Sequence, residues 1–101
     1  MTENDKYQEA LEKQQVQKYM SMLRSKSVNT LINERQKIID RIICFELYYG
    51  ELNRELNRAI RAENWSDVLL IRQKVRANAD DRLELIDYDT IIAEKQRFAV
   101  V

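Results

Sequence analysis

The chain has 101 residues, with 17 basic and 17 acidic side chains, no histidine, no proline and one glycine. That length fits one small domain, residues 1–101, whose core is large enough to fold without disulfides or metals. The shortage of glycine and proline argues against sheet folds with many tight turns, and the zero net charge gives no overall attraction for nucleic acid or an anionic membrane.

The first predicted element is a helix over residues 3–24. Thr2 followed by Asp5 is a capping pair at its start, because each side chain there accepts a hydrogen bond from the other residue's backbone N–H. Apolar residues then recur at helical spacing from Tyr7 to Leu23. Glutamines at positions 14, 15 and 17 interrupt this stripe, so we expect the first helix to be less deeply buried than the second.

The second predicted helix covers residues 28–62, with Ser27 or Asn29 as its N-cap. Its apolar residues form an almost unbroken heptad ladder, which predicts a wide face packed against neighbouring helices. The ladder consists of Val28, Leu31, Ile38, Ile42, Phe45, Tyr49, Leu52, Leu56 and Ala59, and a second stripe of Ile32, Ile39 and Ile60 lies beside it. Gly50 leaves two possibilities. The helix could continue through an outward-facing Gly50, which costs about 1 kcal/mol relative to alanine, or it could break there and start a short helix at Glu51. We favour the continuous helix.

The third predicted helix covers residues 65–98. Asn64 is expected to end the second helix and to cap the third, with Asp67 completing the capping pair. Because the connection is short, the second and third helices are expected to pack as antiparallel neighbours. Residues from Leu83 to Ile92 alternate partly between apolar and polar, which leaves a strand possible there, although the scarcity of glycine favours a helix.

Together these elements predict an all-α fold, an antiparallel three-helix bundle or coiled coil that extends into a long helical hairpin. The first helix is shorter than the others and is expected to lie beside residues 28–49, so that the three-helix section comprises residues 28–49 and 80–98. The acidic residues between positions 80 and 94 would then lie near Arg35, Lys37 and Arg41. This charge complementarity supports the antiparallel register.

The far end of the predicted hairpin, residues 50–79, has two helices but a large apolar surface. Residues 68–71 are four consecutive apolar residues, which point to every side of a helix, so one neighbouring helix cannot cover them all. Because exposed apolar patches usually mark an interface, we predict that the tip binds a helical partner or a second copy of the chain. The predicted partner-binding residues are Leu52, Leu56, Ile60, Trp65, Val68, Leu69, Ile71 and Val75. If Gly50 breaks the second helix, a compact four-helix bundle is the alternative.

No constellation of residues points to catalysis. Histidine, the commonest general base and metal ligand, is absent. Cys44 lies in an apolar run and is expected to be a buried, reduced thiol, which favours an intracellular protein, cytoplasmic or nuclear. Asp80, Glu84 and Asp87 share a helix face and offer the oxygen ligands that Mg²⁺ prefers, but a solvated acidic face is the preferred interpretation. We expect no enzyme, no cofactor and no metal.

Basic residues gather around the predicted tip, where they would offer a surface for phosphates. They are Arg54, Arg58, Arg61, Arg72, Lys74 and Arg76, and acidic residues interleave with them. Pairing along the helix surface explains this pattern, so nucleic-acid binding is a secondary hypothesis. The polar N-terminus predicts no secretory signal, and the apolar stretches are too interrupted to cross a membrane.

The sequence therefore predicts a non-catalytic protein–protein interaction module, such as an assembly subunit, an adaptor or a small regulator. A chaperone or inhibitor that sequesters a helix of a partner protein is the alternative within this class. A nucleic-acid accessory protein that uses the basic face is the alternative from another class. The apolar C-terminus, residues 98–101, would dock on the bundle or serve as a recognised tail.

Overall fold

A computed structural model of the chain describes residues 2–99, and the side chains of residues 2–97. Its elements are α1 (Glu3–Ser25), α2 (Val28–Arg61) and α3 (Trp65–Ala99). No strand occurs within residues 2–99, so the all-α prediction is confirmed and the strand alternative for Leu83 to Ile92 is wrong. The predicted role of the apolar C-terminal side chains, residues 98–101, lies outside what the structure describes.

The helix starts follow the predicted capping residues. At α1 the Asp5 N–H donates to Thr2 Oγ1 at 3.3 Å, and the Thr2 N–H donates to Asp5 Oδ2 at 3.2 Å. At α2 the Thr30 N–H donates to Ser27 Oγ at 3.2 Å, which selects Ser27 over Asn29 as the N-cap. Each bond satisfies a backbone donor that the first helical turn would otherwise leave without a partner.

The turn between α2 and α3 differs in one detail from the prediction. Asn64 caps α3 as expected, because its Oδ1 accepts from the Asp67 N–H at 3.3 Å. α2 ends at Arg61, and Glu63, two residues further on, takes a left-handed conformation with φ of 55°. The Glu63 N–H donates to the Ile60 carbonyl and the Asn64 N–H donates to the Ala59 carbonyl, which is the Schellman arrangement of a helix end.

α2 and α3 pack against each other in antiparallel orientation along the hairpin. α2 continues through Gly50, so the predicted continuous helix is confirmed and the four-helix alternative is wrong. Arg35 pairs with Asp89, and Arg41 pairs with Asp81 at 3.0 Å, as the charge pattern predicts. Lys37 instead lies near Glu34.

The core lies at one end of the molecule, where all three helices meet. Leu23 of α1, Leu31 of α2 and Ile91 of α3 are fully buried there. Ile38, Tyr88 and Ile92 complete the buried cluster. This position agrees with the predicted three-helix section, since the apolar stripes of the three helices coincide only at that end.

The position of α1 differs from the prediction. Its C-terminal half packs on α3 instead of lying along α2, and almost all side chains of residues 3–18 are exposed. The Cα extents of 59 × 42 × 16 Å agree, because helices packed side by side about 8–10 Å apart would be much narrower than the middle dimension. The glutamine-rich part of α1 lacks the apolar side chains that would hold it against α2.

This placement leaves one side of α2 uncovered and exposes Cys44. The expectation of a buried thiol is therefore wrong, for a tertiary reason, since the apolar run around Cys44 has no helix packed on that side. None of the helices, over the part of the chain that the structure describes, has a stretch apolar enough to cross a membrane.

Candidate functional site

The hairpin has two sides, and α1 covers one of them. On the α1 side, Lys26 at the end of α1 contacts Glu34 at 2.8 Å, and the Tyr88 hydroxyl donates to Glu34 Oε2 at 2.6 Å. On the opposite side, Arg35 pairs with Asp89 and Arg82 pairs with Glu46. We call this second side the outer face. Arg35 and Glu46 are 11 residues apart, which is about three helical turns, so both side chains project from the same side of α2.

The outer face carries eight large apolar side chains, each between 42% and 62% exposed. They recur at helical spacing around the ion-paired residues, so they project on the same side of each helix. They are Ile32, Ile43, Tyr49 and Ile60 from α2, and Trp65, Leu69, Val75 and Ile86 from α3. Exposed apolar side chains gathered on one face often mark an interaction site, which makes the outer face the leading candidate for an interface.

A groove runs between the two helices at the tip end of the outer face. Its floor is formed by Leu56 and Ile71, and Val75 lies along it. Arg72 and Arg76 line its rim, where the cavity has a volume of about 390 Å³. An apolar floor beside guanidinium groups suits an amphipathic segment that carries carboxylates along one edge.

The predicted partner-binding residues separate into three groups. Ile60, Trp65, Leu69 and Val75 are exposed and belong to the outer face. Leu52 and Leu56 are half-buried and line the groove, and Val68 is half-buried. Ile71 is 6% exposed and lies between α2 and α3, where it forms part of the floor of the groove.

Sequence reasoning missed the middle of the outer face, formed by Ile43 and Ile86. A signal was present in α3, where Ile71, Asn78, Leu85 and Ile92 follow one another at intervals of seven and form the buried seam. Ile86 lies off that seam, which places it on another side of the helix.

The basic residues predicted as one face do not lie together. Arg54 contacts Glu51 at 2.9 Å, and Arg58 lies 3.9 Å from the same carboxylate. Arg58 and Lys74 line a cavity with Leu70, whereas Arg72 and Arg76 line the groove of the outer face. Arg61 is exposed at the end of α2. The tip therefore divides its positive charge between two sides.

The predicted acidic group lines a cleft of about 630 Å³ between α1 and α3. Asp80, Glu84 and Asp87 lie there opposite Val16 and Tyr19. Burial, and then the nearby carboxylates, raise the pKa of Tyr19 to about 12. Glu84 lies 3.8 Å from Arg41, and no cluster of potential metal ligands occurs in the described residues.

The most strongly perturbed groups lie at the junction of the three helices. The hydrogen bond from Lys26, and then that from Tyr88, hold the pKa of Glu34 below its ordinary value of 4.5. Burial, and then the hydrogen bond that its hydroxyl donates to Glu34, raise the pKa of Tyr88. Glu34 and Tyr88 take part in the contacts that hold α1 against the hairpin. Burial and hydrogen bonding within this junction explain their pKa shifts.

Comparison with known proteins finds no matching family model, no matching curated protein and no matching solved structure.

Proposed function

We propose that this chain is a non-catalytic protein–protein interaction module that binds through the exposed apolar side chains of the hairpin tip. The observation that carries the proposal is the exposure of Trp65 and Leu69, 62% and 58%, where only α2 and α3 are present. Exposed aromatic side chains at the centre of an apolar patch commonly dominate binding energy. An assembly subunit, an adaptor or a small regulator in the cytoplasm fits this description.

A second candidate is a chaperone or inhibitor that sequesters a helix of another protein. The tip groove supports it, because its apolar floor and its rim of Arg72 and Arg76 match an acidic amphipathic helix. A nucleic-acid accessory role has weaker support, since the basic residues lie on two sides of the tip.

The proposal is tested by affinity purification from the native cell with three baits: the wild type, a Trp65→Ser/Leu69→Ser variant, and a control variant. The control, Leu47→Ser/Tyr48→Ser, removes two apolar side chains outside the tip that are at least as exposed as Trp65 and Leu69. A differently tagged second copy counts as a captured protein.

We expect the tip variant to lose the proteins that both other baits retain, with affinity reduced by roughly 30-fold or more, as for loss of an interface anchor. Equal capture by the tip variant and the wild type would contradict the proposal.

A further inference from the structure

We propose that the cleft between α1 and α3 is a second docking site, which takes a basic amphipathic helix of a partner protein. The inference goes beyond the proposed function, because this cleft is separate from the tip. It also differs from the tip groove in charge, since arginines line that groove and carboxylates line this cleft.

The cleft opens where α1 separates from α3. Leu23 of α1 is fully buried in the core, whereas Val16, two turns earlier in the same helix, is 54% exposed. The two walls of the cleft are formed by residues 12–20 of α1 and residues 80–87 of α3. Each wall is therefore about two helical turns long. The volume of about 630 Å³ lies within the range of ligand-binding clefts and leaves room for side chains from outside the molecule.

Each wall carries an exposed apolar side chain. Leu83 of α3 is 60% exposed, and Val16 lies on the opposite wall. Tyr19 and Met20 are half-buried at the end of the cleft nearer the core. Apolar side chains in a groove between two helices are the surface that the apolar side of an amphipathic helix covers.

The charges around these apolar side chains all have the same sign. Four carboxylates line the cleft, and no basic side chain lines it among the residues that the structure describes. The carboxylates are those of Glu12, Asp80, Glu84 and Asp87. Asp80 and Asp87 lie about one helical turn on either side of Leu83. Because the chain as a whole has no net charge, this excess of negative charge is local.

Contacts within the chain compensate little of this negative charge. Glu84 lies 3.8 Å from Arg41, but the other three carboxylates form no ion pair within residues 2–97. A docked helix with lysine or arginine one turn on either side of its apolar residues would supply the missing partners. The apolar side chains between the carboxylates favour such a helix over a bound metal ion.

Tyr19 gives a further observation on the same cleft. Its hydroxyl oxygen is buried and has no hydrogen-bond partner among the described residues. Burial, and then the nearby carboxylates, raise the pKa of this hydroxyl to about 12. Tyr19 therefore lies close to the negative charge, and its hydroxyl makes no polar contact that would close the cleft.

The test measures fluorescence anisotropy of a labelled helical peptide of about 14 residues, or roughly four turns, with leucines along one side and flanking lysines. One control peptide keeps the leucines and replaces the lysines by glutamates. A second control peptide is a scrambled form of the basic peptide, with the same composition and no continuous apolar side. We expect the basic amphipathic peptide to bind about tenfold more tightly than either control peptide.

Two variants test whether the peptide occupies the cleft by removing its charge. Asp80→Asn/Asp87→Asn should raise the Kd about tenfold and should weaken the dependence of the Kd on salt. The matched control, Glu55→Gln/Glu63→Gln, makes the same change in net charge at the tip and should leave the Kd within about twofold.

A second pair of variants tests the apolar part of the cleft. Val16→Ser/Leu83→Ser, at exposed positions, should raise the Kd about tenfold with unchanged helical circular dichroism. Leu47→Ser/Tyr48→Ser removes two exposed apolar side chains outside the cleft and should bind the peptide as the wild type does.

Equal affinity for the basic peptide and for either control peptide would overturn the inference, as would cleft variants that bind like the wild type. Sedimentation equilibrium of the chain alone tests a second copy as the occupant. A dimer that the Val16/Leu83 variant dissociates would assign the cleft to that copy and would also overturn the inference.

The Trp65→Ser/Leu69→Ser variant separates this inference from the proposed function. We expect this variant to bind the basic peptide with the affinity of the wild type, whereas a loss of binding would place the peptide at the tip. The affinity purification tests the tip independently, so either proposal can fail without the other.

Discussion

Glu63 occupies the left-handed position that ends α2, with φ of 55°. A side chain with a Cβ is strained there by about 1 kcal/mol, and glycine is the residue that this position of a Schellman motif prefers. We expect Glu63→Gly to increase the free energy of unfolding by about 0.5–1 kcal/mol in urea denaturation. Ala62→Gly is the matched control, because Ala62 has φ of −83° and should lose stability on the same substitution. Equal changes in the free energy of unfolding at both positions would contradict the assignment of backbone strain to Glu63.

Glu34 links the three helices through its contacts with Lys26 and Tyr88. These contacts lower the pKa of the Glu34 carboxyl below its ordinary value of 4.5. The ionised carboxylate therefore stabilises the fold when the pH is above 4.5, and this stabilisation is lost as the pH falls through the pKa that Glu34 has in the folded protein. We expect Glu34→Gln to be less stable than the wild type at neutral pH, and to lose less further stability down to about pH 3.

The measurement for Glu34 is urea denaturation across that pH range. Glu9→Gln is the control, since Glu9 pairs with Lys13 on the exposed surface of α1 and should leave the pH profile as in the wild type. A Glu34→Gln profile parallel to that of the wild type would show that Glu34 does not carry this pH dependence.

At the scale of the elements, α2 and α3 meet along a seam that contains one buried polar residue. Asn78 is 8% exposed, between Ile71 and Leu85 in the heptad of α3. Its Oδ1 accepts from Arg82 Nε at 3.0 Å, but its Nδ2 has no hydrogen-bond partner among the described residues. An asparagine at such a position lowers stability and favours one register of the helices.

We expect Asn78→Leu to increase the free energy of unfolding by about 1–2 kcal/mol, because it removes the unsatisfied amide and adds buried apolar surface. Thermal and urea denaturation measure the change. Asn57→Leu, at an exposed position of α2, is the control and should change stability by less than about 0.5 kcal/mol. A less stable Asn78→Leu protein would contradict the interpretation of Asn78 as a costly residue of the seam.

At the scale of the whole molecule, the buried core and the exposed apolar residues of the tip lie at opposite ends. Leu23, Leu31 and Ile91 are fully buried where three helices meet, whereas Trp65 and Leu69 are exposed where there are two. This division gives the molecule an anchored end and a long surface that is available for binding.

Local patterns in the sequence are sufficient for the helices, their capping residues and the antiparallel hairpin. Thr2, Ser27 and Asn64 act within a few residues along the chain, and the heptad ladder of α2 requires a neighbour whatever that neighbour is. The exposure of Leu69 could also be predicted from a local pattern, since a two-helix section cannot cover the four consecutive apolar residues 68–71.

Only the tertiary structure decided which side of each helix stays exposed. α3 carries apolar residues on several sides, so its sequence is compatible with more than one position of α1. Packing of α1 on α3 covers Ile91 and leaves Cys44, Ile43 and Ile86 in water. That choice depends on how the apolar ends of three helices fit together at once, and no local pattern of residues contains this information.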